Sequence, residues 1–100
     1  MLHEIKIKMS YANAVLEGRK NFEVRVNDRG YNAGDKVQFT VVEDSGSFTE
    51  EARSHELNKK KYQITYVQSG LGLREEFVVF GIREVKKEGN AWKDRQHLKL

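Results

Sequence analysis

The sequence predicts a mainly β domain of the α+β class: a small closed or half-open barrel of about five strands, with one helix after the first strand. Three observations lead there. Five short segments carry strand signals, spread from residue 3 to residue 85, and only one segment between them shows a helical stripe. The chain has 100 residues, 38% hydrophobic and 10% aromatic, which suits one domain with a single modest core. Sequential short strands of this kind close on themselves more readily than they form an extended sheet.

Residues 3–8 alternate, with Ile5 and Ile7 on one face and Glu4, Lys6 and Lys8 on the other, as in a half-buried strand. Ser10 is placed to cap a short helix over Tyr11–Glu17, in which Tyr11, Val15 and Leu16 form an apolar stripe and Gly18 supplies the stop. A second alternation follows. Its apolar set, Phe22, Val24 and Val26, is expected in the core, leaving Asn21, Glu23 and Arg25 outward. Residues 27–34, rich in Asn, Asp and Gly, read as a loop ending in the turn Ala33-Gly34-Asp35, and Val37, Phe39 and Val41 define a third strand.

Residues 43–58 change character: five acidic residues against one Arg, with Ser and Gly, predict a solvated, mobile loop excursion. Lys59-Lys60-Lys61 then leads into a β-rich stretch at Tyr62–Val67. A turn at Ser69–Gly72 precedes Phe77–Val85, apolar enough on both sides for a central strand. The domain is expected to span 1–87, followed by a polar C-terminal tail at 88–100 that Trp92 anchors.

Several classes of function drop out. With no Cys, disulfides, thiolate metal sites and Cys nucleophiles are excluded, and a cytoplasmic protein is expected. Apolar runs are too short to span a membrane, and the N-terminus does not resemble a signal peptide. His3, His55 and His97 lack metal-ligand spacing, so neither a metal nor a cofactor is expected. The net charge of +3 is small, but it is unevenly spread: residues 1–42 carry +2, 43–58 carry −4 and 59–87 carry +4. A basic barrel with an acidic insert is compatible with an anionic ligand.

Local chemistry concentrates where the helix meets the second strand. Glu23 and Arg25, two apart on a strand, share a face with side-chain roots roughly 7 Å apart, and Lys20 overhangs that face from the corner. A charged face beside a helix makes a shallow polar cleft. The segment Gly18-Arg19-Lys20-Asn21-Phe22-Glu23-Val24-Arg25 resembles the G-x-K-x-x-E-x-R signature of the ASCH domain family, within the PUA-like superfamily. The stretches at 2–42 and 61–85, including Leu71–Ile82, are similar to a small bacterial and phage ASCH-like group.

That resemblance implies a PUA-like β-barrel whose cleft is lined by the signature Lys, Glu and Arg. It implies binding of RNA or a nucleotide-like ligand by Lys20, Glu23, Arg25 and Arg29. In this picture Glu23 accepts from a base N–H, and Arg25 and Lys20 engage phosphate or carbonyl oxygens. Arg29 rims the cleft, Lys59–Lys61 extend it, and Tyr11, Tyr31 and Tyr62 are candidates for stacking on bases, with Tyr11 favoured as helix core. Some ASCH proteins hydrolyse the acetyl amide of N4-acetylcytidine with a Lys, a Thr three residues later and a later Glu. As such an amidohydrolase this chain would use Lys20 and Glu23, Glu23 standing at the Thr position and Glu75 or Glu76 offering a further carboxylate. A third possibility is a protein-interaction accessory domain that binds through 43–58.

Overall fold

The computed structural model describes residues 1–86. The segment 88–100 with Trp92 lies outside the described residues. The elements run β1 (Leu2–Lys8), α1 (Met9–Leu16), β2 (Phe22–Val26), β3 (Lys36–Val42), α2 (Glu50–Arg53), a 3-10 helix (Glu56–Lys59), β4 (Lys61–Gln68) and β5 (Phe77–Val85). The five strands form one mixed sheet in the order β1-β3-β4-β5-β2, curved into a half-barrel. Only β1 and β3 pair parallel; the remaining neighbours are antiparallel. A parallel pair needs a long crossover, and this one contains α1 and β2, so β1 and β2 become the two edges of the sheet.

Those edges are held by side chains. Arg25 Nη1 of β2 donates to the Lys6 carbonyl at 3.0 Å, and Arg29 Nη1, just beyond β2, donates to the Glu4 carbonyl at 2.7 Å. Two guanidinium groups thus satisfy carbonyls of a strand edge that would otherwise face solvent or another chain.

The core contains Ile5, Ile7, Val37, Phe39, Val41, Ile64, Val78, Phe80 and Ile82, with Ala12 and Val15 of α1 laid against it. On β1 and β3 the alternation points inward as expected. On β2 it does not. Glu23 is 3% exposed, whereas Phe22, Val24 and Val26 are 43%, 49% and 48% exposed. Register explains the inversion: Glu23 lies opposite Phe80 and Arg25 opposite Val78, both core residues of β5, so the charged set shares the inner face. Period 2 is intact; the face is the reverse of the hydrophobic expectation.

The helix stop is the expected one. Gly18 takes φ +81, a left-handed conformation that costs glycine little, and its N–H closes on the Val15 carbonyl at 3.0 Å. The start differs, since Ser10 lies inside α1 and its own backbone N–H is capped by Asp44 Oδ1 at 3.0 Å. That contact holds the Asp44 carboxyl below its ordinary pKa. Space is tight at Gly81: a Cβ there would stand 2.6 Å from Thr65 Oγ1, at the β4 bulge between Ile64 and Tyr66, so any side chain there needs Thr65 to shift.

Residues 43–58 are a second correction. The segment is packed, with Ala52 and Leu57 fully buried. β3 pairs with β4 only through Lys36–Gln38, which leaves its second half short of partners on that side. Asn58 fills the gap, accepting from Val41 N at 2.8 Å and donating to the carbonyls of Ala52 (2.7 Å) and Arg53 (3.1 Å). Thr49 caps α2 through Ala52 N, and His55 ties the segment to Asn13 of α1 at 2.7 Å. The acidic residues lie on its outside, so charge counts describe one face of a folded segment.

At the other end of the sheet His3, buried, bonds Asp35 Oδ2 at 2.8 Å and packs against Tyr31. The His3 hydrogen bond, with help from Asn32 N–H and the nearby N-terminus, holds the Asp35 carboxyl below its ordinary value despite partial burial. Among the described residues no helix is long and apolar enough to cross a membrane.

Two outcomes are expected. Leu57→Ala should cost about 2–5 kcal/mol in chemical denaturation; a cost below about 0.5 kcal/mol would show that 43–58 is detached. Asp35→Asn should cost about 1–3 kcal/mol at neutral pH. Because the folded pKa of Asp35 is depressed, its contribution is present above the unfolded value of about 4 and lost as pH falls through the folded one. The stability gap between wild type and Asp35→Asn should therefore narrow in acid; a gap independent of pH would show that the ionised carboxylate is not what stabilises.

Candidate functional site

The opening between the two sheet edges is a cleft of about 560 Å³, within the range of small-molecule sites. β1 supplies Lys6, Ile7 and Lys8, α1 supplies Tyr11, and the corner and β2 supply Lys20, Phe22, Glu23, Val24 and Arg25. Lys20 reaches it because the chain wraps the end of α1: the N–H groups of Arg19 and Lys20 both donate to the Ala14 carbonyl, at 2.9 and 3.1 Å.

Glu23 organises the site. One carboxylate oxygen accepts from Lys20 Nζ and the other from Arg25 Nη1 at 3.2 Å. Both cations are partly buried, while the carboxylate is nearly inaccessible. Lys20 Nζ also donates to the Phe22 carbonyl at 2.7 Å and lies 4.8 Å and 5.5 Å from the ring centroids of Phe22 and Tyr11. An ammonium is suited to all four of these neighbours. Arg25 divides its Nη1 between Glu23 and the Lys6 carbonyl, so one side chain joins the buried carboxylate to the opposite sheet edge.

The structure therefore brings Lys20, Glu23 and Arg25 together, by a route different from the expected one. They line the inner face of β2, and the inward turn of that face converts an open charged strand into a cleft with a buried anion at its base. Arg29 is not among the cleft residues; it spans from Asp28, at 3.8 Å, to the Glu4 carbonyl. Lys59 and Lys60 pair with Glu56 and Glu84 and stand outside the cleft, as do Glu75 and Glu76.

The aromatic assignments are reversed. Tyr31 and Tyr62 are buried in the core, where burial raises the Tyr62 pKa, and Tyr11 is exposed at the cleft. Two cations not among the expected ligand-binding residues, Lys6 and Lys8, stand on the rim. Alternation along β1 already turns them outward, but nothing local in the sequence places β1 beside β2. Among the described residues no group of three or more His, Asp or Glu is arranged to hold a metal.

Fold and site together define a small mixed-sheet half-barrel with a cationic, aromatic-walled cleft at its open edge. Residues 2–82 match a family described as a domain of unknown function, DUF3850, and the chain belongs to that family. Among solved structures it is similar to the archaeal hypothetical protein PH0355, with TM-score 0.55 and 14% identity over 85% of this chain and 100% of that one. Protein PF0455 from Pyrococcus furiosus is also similar, with TM-score 0.48 and 13% identity over 87% of this chain and 100% of that one. At such identities the first likeness speaks to the fold alone. No curated protein matches the chain.

Removing Glu23 should expose its role. Glu23→Ala leaves two cations facing each other without a counter-charge and is expected to cost about 3 kcal/mol. Lys20→Met in the Glu23→Ala background is expected to recover part of that loss, since one of the two unpaired cations is then removed and Arg25 remains. Strictly additive losses in that double mutant would contradict the coupling.

Proposed function

We propose that this chain is a binding domain for RNA or a nucleotide-like anion, which it takes into the cleft between β1, β2 and α1. One observation carries the reading: four cations, Lys6, Lys8, Lys20 and Arg25, converge on a cleft whose walls include the exposed rings of Tyr11 and Phe22. Phosphates recruit cations, and bases stack on aromatic faces. The residues of the ASCH-like signature, Lys20, Glu23 and Arg25, all fall in this cleft, which supports a PUA-like kinship and the same ligand class.

Within this reading Glu23 positions the cations. Both of its oxygens are taken by Lys20 and Arg25, so it has little capacity left to accept from a base. Lys20 keeps one N–H, and Arg25 keeps its Nε and Nη2 donors, for the ligand's oxygens. Lys6 and Lys8 extend the positive rim along β1, and Arg29 supports the edge from which they project.

Amide hydrolysis of a modified nucleoside is the weaker reading. It needs a Lys20 free to act as base or nucleophile, whereas Lys20 is engaged by Glu23 and the Phe22 carbonyl. Nor does a second carboxylate enter the cleft among the described residues. A protein-interaction role for 43–58 has less support, because Ala52 and Leu57 are committed to the core.

Fluorescence anisotropy with a short single-stranded RNA tests the proposal. Affinity should fall with salt, Lys6→Ala and Lys8→Ala should each lower the salt slope by about 0.7, and Tyr11→Ala should weaken binding about tenfold or more. Lys20→Ala and Arg25→Ala should abolish it. Salt-insensitive or absent binding to RNA and to nucleotides would overturn the proposal, and release of cytidine from N4-acetylcytidine would establish the hydrolase instead.

A further inference from the structure

The inversion of β2 has a counterpart outside the barrel. In cross-strand register Phe22, Gly81 and Tyr66 form one row, Val24, Val79 and Gln68 the next, and Val26 and Phe77 a third. All lie on the outer face of β2, β5 and β4, and Tyr66 is 65% exposed. With Phe22, Val24 and Val26 each more than two-fifths exposed beside Tyr66, the apolar side chains on this face leave roughly 400 Å² open, within the range of the largest patch a monomer carries and of the size that marks interaction sites. Nothing in the described chain covers them.

We propose that this face is the interface of a homodimer, a second copy of the chain being its occupant. Two observations favour a second copy. The first is area: a standard interface buries about 800 Å² per partner, a little over half of it apolar, which matches the face once its polar margin is included. The second is charge. Lys61 and Arg83 stand outward at one end of the face, where β4 begins and β5 ends. Glu75 and Glu76 precede Phe77 at the opposite end, where they outweigh the exposed Arg74 beside them and leave a net negative charge. None of Lys61, Arg83, Glu75 and Glu76 joins an ion pair among the described residues.

A two-fold axis lying in the interface and running across the strands sets each basic end on the partner's acidic end, with the apolar rows between them. Aligned sheet-on-sheet packing of this kind is common, and an isologous dimer needs this self-complementarity. Phe22 and Val24 also wall the ligand cleft, so the two copies would present their clefts along the margins of the interface.

Sedimentation equilibrium of the full chain over a wide concentration range tests the proposal. The wild type should show the mass of two chains at high concentration. Tyr66→Lys, outside the cleft, should raise the dimer dissociation constant at least about thirtyfold with an unchanged circular dichroism spectrum. Lys61→Glu with Arg83→Glu should weaken the dimer, and adding Glu75→Lys with Glu76→Lys in the same chain should restore it. RNA binding by monomeric Tyr66→Lys should persist, which separates this proposal from the ligand reading. A wild type monomeric at every concentration would overturn it. In that case a loss of stability in Tyr66→Lys would indicate cover from residues 87–100. A dimer indifferent to Tyr66→Lys and to the charge reversals would overturn it equally.

Discussion

The carboxylate of Glu23 is the contact on which the rest depends. It is buried at the inner face of an edge strand and shared by Lys20 and Arg25, and Arg25 passes the connection on to the Lys6 carbonyl of the opposite edge. A buried carboxylate without such partners is prohibitively costly, so the two cations must be present for β2 to take this face. Once it does, the cleft, its charge and the outward apolar rows follow together. Buried ion pairs are seldom large net stabilisers. The triad's consequence is which face of β2 turns inward.

The gap between the two sheet edges is thereby bridged by side chains instead of backbone. Arg25 and Arg29 reach across to carbonyls of β1, so the edges are protected without being zipped into a continuous ladder. This leaves room for a ligand between them, and it keeps Lys6, Lys8 and Lys20 within reach of one another. The acidic segment 43–58, anchored by Leu57 and Asn58, packs behind β3, and through Asp44 it caps the helix that forms one wall of the cleft. It contributes to the site by placing α1.

How much of this could be read from the chain differs element by element. Ile5 and Ile7, and Val37, Phe39 and Val41, point where their alternation says, because both strands back onto one apolar core. For β2 the period is legible and the face is not: an alternating strand has two faces, and a shift of one residue exchanges them. Hydrophobicity chose Phe22, Val24 and Val26, whereas the pairing of Glu23 with Phe80 and the two neighbouring cations decide otherwise. In 43–58 the acidic composition conceals Ala52 and Leu57, two small commitments to the core that outweigh the surrounding charge. Lys20, Glu23 and Arg25 were legible as a cluster from spacing. Lys6 and Lys8 were not, since their place beside β2 arises from a crossover that no local pattern encodes.

The most direct test of this account is the orientation of β2 in solution. Nuclear Overhauser contacts should link the Glu23 side chain to the ring of Phe80 and the Arg25 stem to Val78, with the Val24 methyls close to Val79 and remote from the Phe80 ring. Contacts from Val24 methyls to the core ring of Phe80, with Glu23 free in solvent, would contradict it.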